Sequence, residues 1–283
     1  MLLAVLAGIG WATNIVIVRW GLDRTTGPPL VAAMVGVGVG SVVAATIAVV
    51  SGQAVPSPED LWRFVLVGAI APGTSQGLFV AAIGLIGTSR TSVLIATSPV
   101  FSVLLAIIFL GEDWKAAAII GTLVTVIGGA LIGWAPDMLE RRVGVIFGLA
   151  TAFSFGVRDV VARSFSTDTD VSSWWSGAIV LGSAAIVSLV MVIVKERGGT
   201  VRAVRAVLPE FLLSGLMMGL TLPTLLLALD RGEVGLVAPL SLASQNVAVV
   251  ALGSVVFGAD ERTPRILAAI VLVIVGAAMV SIA

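Results

Sequence analysis

Cysteine, histidine and tyrosine are absent from this 283-residue chain. Without cysteine there is no disulfide, no thiolate nucleophile and no thiolate metal ligand. Without histidine there is no imidazole ligand and no imidazole proton relay. Charge is scarce too: Asp, Glu, Lys and Arg make up 11% of the residues, and 16 of each sign cancel to a net charge of zero. That balance excludes the basic surface needed to hold nucleic acid. The N-terminal apolar stretch has no basic n-region and no small-residue cleavage site. It reads as a first span that stays in the protein, not a removable signal.

Apolar residues fill the space left by these absences, at 58% of the chain with a mean hydropathy of +1.14. A soluble domain of this length does not manage with so little charge, so the composition indicates a polytopic membrane protein. A span needs about 20 apolar residues. Ten such runs lie near 2–20, 29–51, 61–83, 88–110, 114–134, 143–165, 173–194, 208–229, 234–257 and 265–283. Short seams such as SGQAVPSPED, GEDWK, STDTD and DRGE separate them. None is long enough for a soluble domain, so the chain is one membrane domain.

The chain repeats itself. A shift of 144 carries Ala4, Gly8 and Ala12 onto Gly148, Ala152 and Gly156, two small-xxx-small ridges that let helix backbones approach in lipid. The same shift matches Trp11 with Phe155, Asn14 with Arg158 and Arg19 with Arg163. A shift of 147 matches Thr74 with Thr221, Gly129 with Gly276, and FLGED at 109–113 loosely with FGAD at 257–260. Each half, 1–134 and 143–283, then holds five spans. Five is odd, so the second half enters the bilayer from the opposite face. The expected fold is all-α, ten transmembrane helices in two inverted five-helix repeats, an architecture of transporters with a midplane site.

Three stretches carry a family resemblance: GWATNIVIVR at 10–19, TSPVFSVLLAIIFLGED at 97–113 and RGEVGLVAPLSLASQNVAVVALGSVVF at 231–257. The pattern resembles the drug/metabolite transporter superfamily in its EamA-like ten-helix branch, over nearly the whole chain. These motifs are structural and identify the fold better than the solute. The chain departs from the family pattern in the ninth span, where Asn246 stands opposite Pro99 and Ala259 opposite Glu112. The second span, Leu30 to Val50, has no arginine, whereas many relatives carry one there.

The chemistry centres on the sixth span, where Arg158 and Asp159 lie within an otherwise apolar run. Intramembrane charge costs about 2.5–3.5 kcal/mol per residue on insertion scales, so it faces a bundle interior or a wet cavity. The candidate substrate-binding residues are Trp11, Asn14, Gln76, Ser98, Phe155, Arg158, Gln245 and Asn246. Trp11 and Asn14 are three apart, as are Phe155 and Arg158, so an aromatic ring beside a hydrogen-bonding group recurs in both halves. That pairing suits a solute with an apolar body and a polar head. Asp159 is the only acid well inside a span and is the candidate for proton coupling. If Arg158 and Asp159 neutralise each other, neither role follows. Arg158→Ala is expected to abolish transport while the protein still folds.

Thr74 and Thr221 are as readily read as hydroxyls bonded back to their own helices. Pro72, Pro99, Pro223 and Pro239 kink their spans, as hinges or as static bends. Gly36, Gly38 and Gly40 indicate close packing or a homodimer contact. Trp62, Trp114, Trp134, Trp174 and Trp175 sit at span ends as interfacial anchors.

Odd-numbered connections carry Arg19, Arg24, Arg90, Arg141, Arg142, Lys195, Arg197, Arg202, Arg205, Arg262 and Arg265. Even-numbered ones carry Arg63, Lys115, Arg163 and Arg231. This bias puts the odd connections, including Glu196–Arg205, in the cytoplasm and both termini outside, the reverse of the usual drawing of ten-helix relatives. A secondary transporter in the plasma membrane is expected, with a small-molecule substrate, the lipid bilayer as its surroundings, no cofactor and no metal. A Walker A motif is missing, and an intramembrane hydrolase lacks its nucleophile and base. A non-transporting assembly subunit is the alternative.

Overall fold

A computed structural model describes residues 1–86, 91, 94–113, 115–133, 142–196, 200–256 and 264–281. Among these residues all regular structure is helical. The helices are α1 (Leu2–Leu22), α2 (Pro29–Val50), α3 (Pro58–Gly68, continued by Ser75–Ile86), α4 (Ser98–Leu105, continued to Leu110), α5 (Ala116–Gly133), α6 (Arg142–Thr167), α7 (Ser173–Glu196), α8 (Thr200–Arg231), α9 (Val234–Val256) and α10 (Pro264–Ser281). Trp114, Trp134 and the FGAD stretch at 257–260 lie outside the described residues.

Among the described residues six helices, α1, α2, α6, α7, α8 and α9, are long and apolar enough to cross a membrane. The apolar parts of α4, α5 and α10 are shorter, at Ser98–Leu110, Ala116–Gly128 and Val271–Val280. The third span, expected as one run, is divided at Ala71, whose backbone is extended (φ −151°, ψ 127°). Pro72 follows it and disfavours the helical region for the preceding residue. The eighth helix starts at Thr200, eight residues before the apolar run at 208, and Val204 and Val207 in this added stretch join an apolar cluster with Leu30 and Val31 of α2. Side chains such as Val42, Ile108, Phe109 and Val190 are exposed around the bundle. In lipid that outward apolar surface is the solvated one.

Packing follows the small-residue ridges. Ala4, Gly8 and Ala12 are buried on α1, and a Cβ on Gly8 would collide with the Ser241 carbonyl and lie 2.7 Å from Ser244 Cβ on α9. Gly148, Ala152 and Gly156 are buried on α6, where a Cβ on Gly156 would lie 2.7 Å from Phe101 Cβ and 2.9 Å from Ser102 N of α4. The glycine run of α2 is used inside the chain. A Cβ on Gly40 would meet Gly215 O and Gly219 N of α8 at 3.1 Å.

The strongest packing runs between the halves of the chain. α1 packs on α9 and α8, and α6 on α4 and the second part of α3. α2 packs on α8 and α7, α7 also on α3, and α5 on α10. Exchanging each helix for the one five places along maps this set of contacts onto itself.

Candidate functional site

Arg158 and Asp159 meet in α6. They are 9% and 6% exposed. The Arg158 guanidinium donates from Nε (3.0 Å) and Nη2 (2.8 Å) to Asp159 Oδ1. Ser102 Oγ, on α4, lies 3.0 Å from Asp159 Oδ2 and 3.2 Å from the Ser98 carbonyl, so its single proton serves one or the other. The local cause is Gly156. Without a side chain it lets α4 approach α6, and one turn later Asp159 faces the approaching helix. Phe155 lies one turn before Arg158, with its ring centroid 5.0 Å from the guanidinium carbon. A buried pair tolerates its desolvation only while both partners stay, and removing one strands the other at about 3–5 kcal/mol. A clean test of function therefore neutralises both residues together, because Arg158→Ala alone leaves Asp159 buried without its cation.

A second polar cluster forms on α1, α8 and α9. Asn14, 7% exposed, accepts a hydrogen bond through Oδ1 from Ser214 Oγ at 2.8 Å. The backbone at Gly8 sits against Ser244 and Gln245, and that at Gly10 against Thr221. Gln245 is half-buried, and Asn246 presents a buried Nδ2 with no acceptor among the described residues. Trp11 is partly buried against the main apolar core. Asn14 and Arg158 thus have different partners, each in its own cluster.

Of the remaining sequence candidates, Gln76 is half-buried just beyond the division of α3. Thr74 Oγ1 lies 2.7 and 2.8 Å from the carbonyls of Ala69 and Ile70, so its single proton supplies a donor to one or the other where the helix is interrupted. Ser98 contributes its carbonyl to Ser102. Sequence reasoning missed Ser102 and Ser214. Ser102 lies one turn from the candidate Ser98, and that spacing is the signal that could have found it.

One end of the bundle, where the even-numbered connections lie, carries further polar ties. Gly111 takes a left-handed conformation (φ 66°) that ends α4 and turns Glu112 onto the start of α9. Its carboxylate accepts from Val234 N (2.7 Å) and Gly235 N (2.9 Å), capping that helix from the other half of the chain. Lys115 pairs with Glu233 at 2.9 Å. That hydrogen bond raises the Lys115 pKa above its ordinary 10.5. These groups, with Val103, Ile107 and Leu236, line a small depression open to the surface. Arg163 donates to the carbonyls of Leu229 (2.6 Å) and Asp230 at the end of α8, where cations are favoured.

Arg63 on α3 is different. Its Nε and Nη1 are buried and have no acceptor among the described residues. The Phe165 and Trp62 ring centroids lie 5.6 and 6.0 Å from its guanidinium carbon. Such cation–π contacts return about 0.5–2 kcal/mol. Arg63 as a whole is half-buried, and the rings offer its two enclosed nitrogens no acceptor lone pair.

Residues 1–134 match the EamA-like transporter family. A curated relative, "Probable terminal-alkyne amino-acid exporter" of Streptantibioticus cattleyicolor, is 31% identical over 182 residues, 62% of this chain and 61% of the relative. A solved structure, titled only "Crystal structure of protein", superposes with a TM-score of 0.76 at 21% identity over 98% of both chains, which shows the fold alone. In residues 1–134 this membrane protein, with its multiple apolar helices, is thus similar to the EamA-like transporter family.

Proposed function

We infer that the chain is a secondary transporter of the plasma membrane, moving a small organic solute by alternating access of two inverted five-helix repeats, 1–134 and 143–283. The self-mapping contacts between the halves support the repeat, because a rocking motion needs two comparable units across one interface. The observation that carries the functional reading is the buried Arg158–Asp159 pair of α6, hydrogen-bonded to Ser102 in the other half. Buried ionisable groups within spans mark substrate and proton paths.

The relative's printed name supplies a solute class. An amino-acid zwitterion carries a carboxylate for Arg158 and an ammonium for Asp159, so it can open the pair by exchanging partners with it. Asp159, held in turn by Arg158 and by a proton, is the coupling group. Phe155 and Trp11 offer apolar surface to the side chain. Asn14, Gln76, Ser98, Gln245 and Asn246 are the neutral partners on the route. Both termini lie on one face, with the odd-numbered connections cytoplasmic.

The test is counterflow of labelled amino acids in proteoliposomes, comparing wild type with Arg158→Gln/Asp159→Asn. The double variant should melt within a few degrees of wild type and move nothing. Wild-type rates in that variant would remove the pair from the pathway. No counterflow by the wild type with any amino acid would overturn the solute class. For orientation, a cysteine placed at Gly199, outside the described residues, should escape an impermeant thiol reagent in intact cells.

A further inference from the structure

We propose that Arg63, flanked by Trp62 and Phe165, is a binding site for an oxyanion, a carboxylate or phosphate group, at the end of the bundle where α3 begins and α6 ends. A guanidinium is permanently charged and donates through five N–H groups in a planar fork. Here two of its nitrogens are shut away from solvent with no oxygen among the described residues to receive them. Arg158 and Arg163 behave otherwise: the first holds Asp159, the second the terminal carbonyls of α8. The nearest acids along α3 do not serve Arg63. Asp60 accepts from Ser57 Oγ at 2.8 Å, and Glu59, four residues before Arg63, forms no ion pair with it.

The surroundings fit an anion carrying an apolar body. Trp62 and Phe165 meet edge to face, with centroids 5.8 Å apart. Trp62 is 55% exposed, so the aromatic wall reaches the outer surface. Rings supply a negative face to the cation but no acceptor lone pair. An oxyanion would supply the charge-assisted hydrogen bonds that these rings cannot. Phe165 lies seven residues beyond Arg158 on α6, hence on the same helix face, roughly 10 Å along the axis. The site is therefore in register with the buried pair but nearer the membrane edge. It stands whether or not the chain transports amino acids.

Two sources can deliver the same chemistry, a free solute or a lipid headgroup. The full-length protein in neutral detergent is titrated with benzoate and with inorganic phosphate, and melting is followed. In parallel it is reconstituted in nanodiscs of phosphatidylcholine with or without phosphatidylglycerol. We expect at least one anionic arm to raise the melting temperature of the wild type. In Arg63→Gln the apparent affinity should fall roughly tenfold or more, the factor that one lost charge-assisted hydrogen bond gives. Arg63→Lys should recover part of it. A response to benzoate or phosphate identifies a free solute; a response to phosphatidylglycerol alone identifies a lipid.

If Arg63→Gln does not fold, the wild type still decides. Phenylglyoxal labelling of Arg63, read by peptide mass spectrometry, should be slowed by the active anion. The proposal fails if no arm stabilises or protects the wild type. It fails equally if Arg63→Gln responds as the wild type does. Glu59→Gln destabilising the anion-free protein as much as Arg63→Gln, with no anion response in either, would show an intramolecular ion pair in its place.

Discussion

Asn14 and Arg158 occupy the same place in the two halves under the 144-residue shift, each two residues beyond the ridge that α1 and α6 use for close packing. The first lies in a neutral cluster, its amide bonded to the Ser214 hydroxyl. The second lies in a charged cluster whose cation and anion are neighbours on one helix. The small buried residues before them are alike and the chemistry is not. Place along a helix therefore leaves open what a polar group binds, and the side chain that stands there decides it.

The largest effect expected from breaking this comparison is on the charged side. Asp159→Ala strands a buried guanidinium and should destabilise by about 3–5 kcal/mol, read as the unfolding midpoint of the purified protein in denaturant. A loss below about 1 kcal/mol would mean that Arg158 already reaches water. The ridges should next show that the backbones are matched. Gly8→Val and Gly156→Val both push a side chain into the facing helix and should each cost at least about 1–3 kcal/mol. Gly38→Ala meets only Ala185 Cβ at 3.9 Å and should be neutral or stabilising by up to about 1 kcal/mol in thermal melts.

Glu112→Ala removes a cap that joins the halves, and should cost about 1 kcal/mol in the same melts. Smaller still is the neutral cluster. Ser214→Ala should cost about 0.6 kcal/mol, the average for an interhelical hydrogen bond in a membrane bundle. A value matching Asp159→Ala would erase the difference between the clusters. The smallest effect belongs to the exposed Lys115–Glu233 pair. Because the lysine pKa is raised, the pair's contribution is complete at neutral pH and is lost only as pH climbs above the lysine range. A pH titration of the melting temperature from 6 to 8 should therefore look the same in Lys115→Met and wild type.

Much of the site was legible in part. Arg158 and Asp159 announce themselves, because two charges in an apolar run are rare and must face inward. Their pairing with each other was one of two readings left open, since adjacent residues point about 100° apart and only rotamers bring them together. Asn14 was legible as a buried amide needing a partner, but nothing in the chain pointed to Ser214, 200 residues away. Arg63 read as a charge in a short connection. Its burial depends on Phe165, which arrives from another helix.

By itself the sequence determined the all-helical membrane class, the small-residue ridges and the places where charge enters a span. Those follow from lipid, which satisfies no backbone group and admits only long apolar helices and close-packed small residues. Tertiary structure alone decided that α3 divides at Ala71, that Gly36 and Gly40 are used within the chain, and that Glu112 caps a helix of the other half. It also decided which polar groups find partners and which, like Arg63 and Asn246, keep donors without one among the described residues. The physical reason is range: hydropathy and helix period are local to one segment, whereas a hydrogen bond inside a membrane bundle depends on which distant helix is packed alongside.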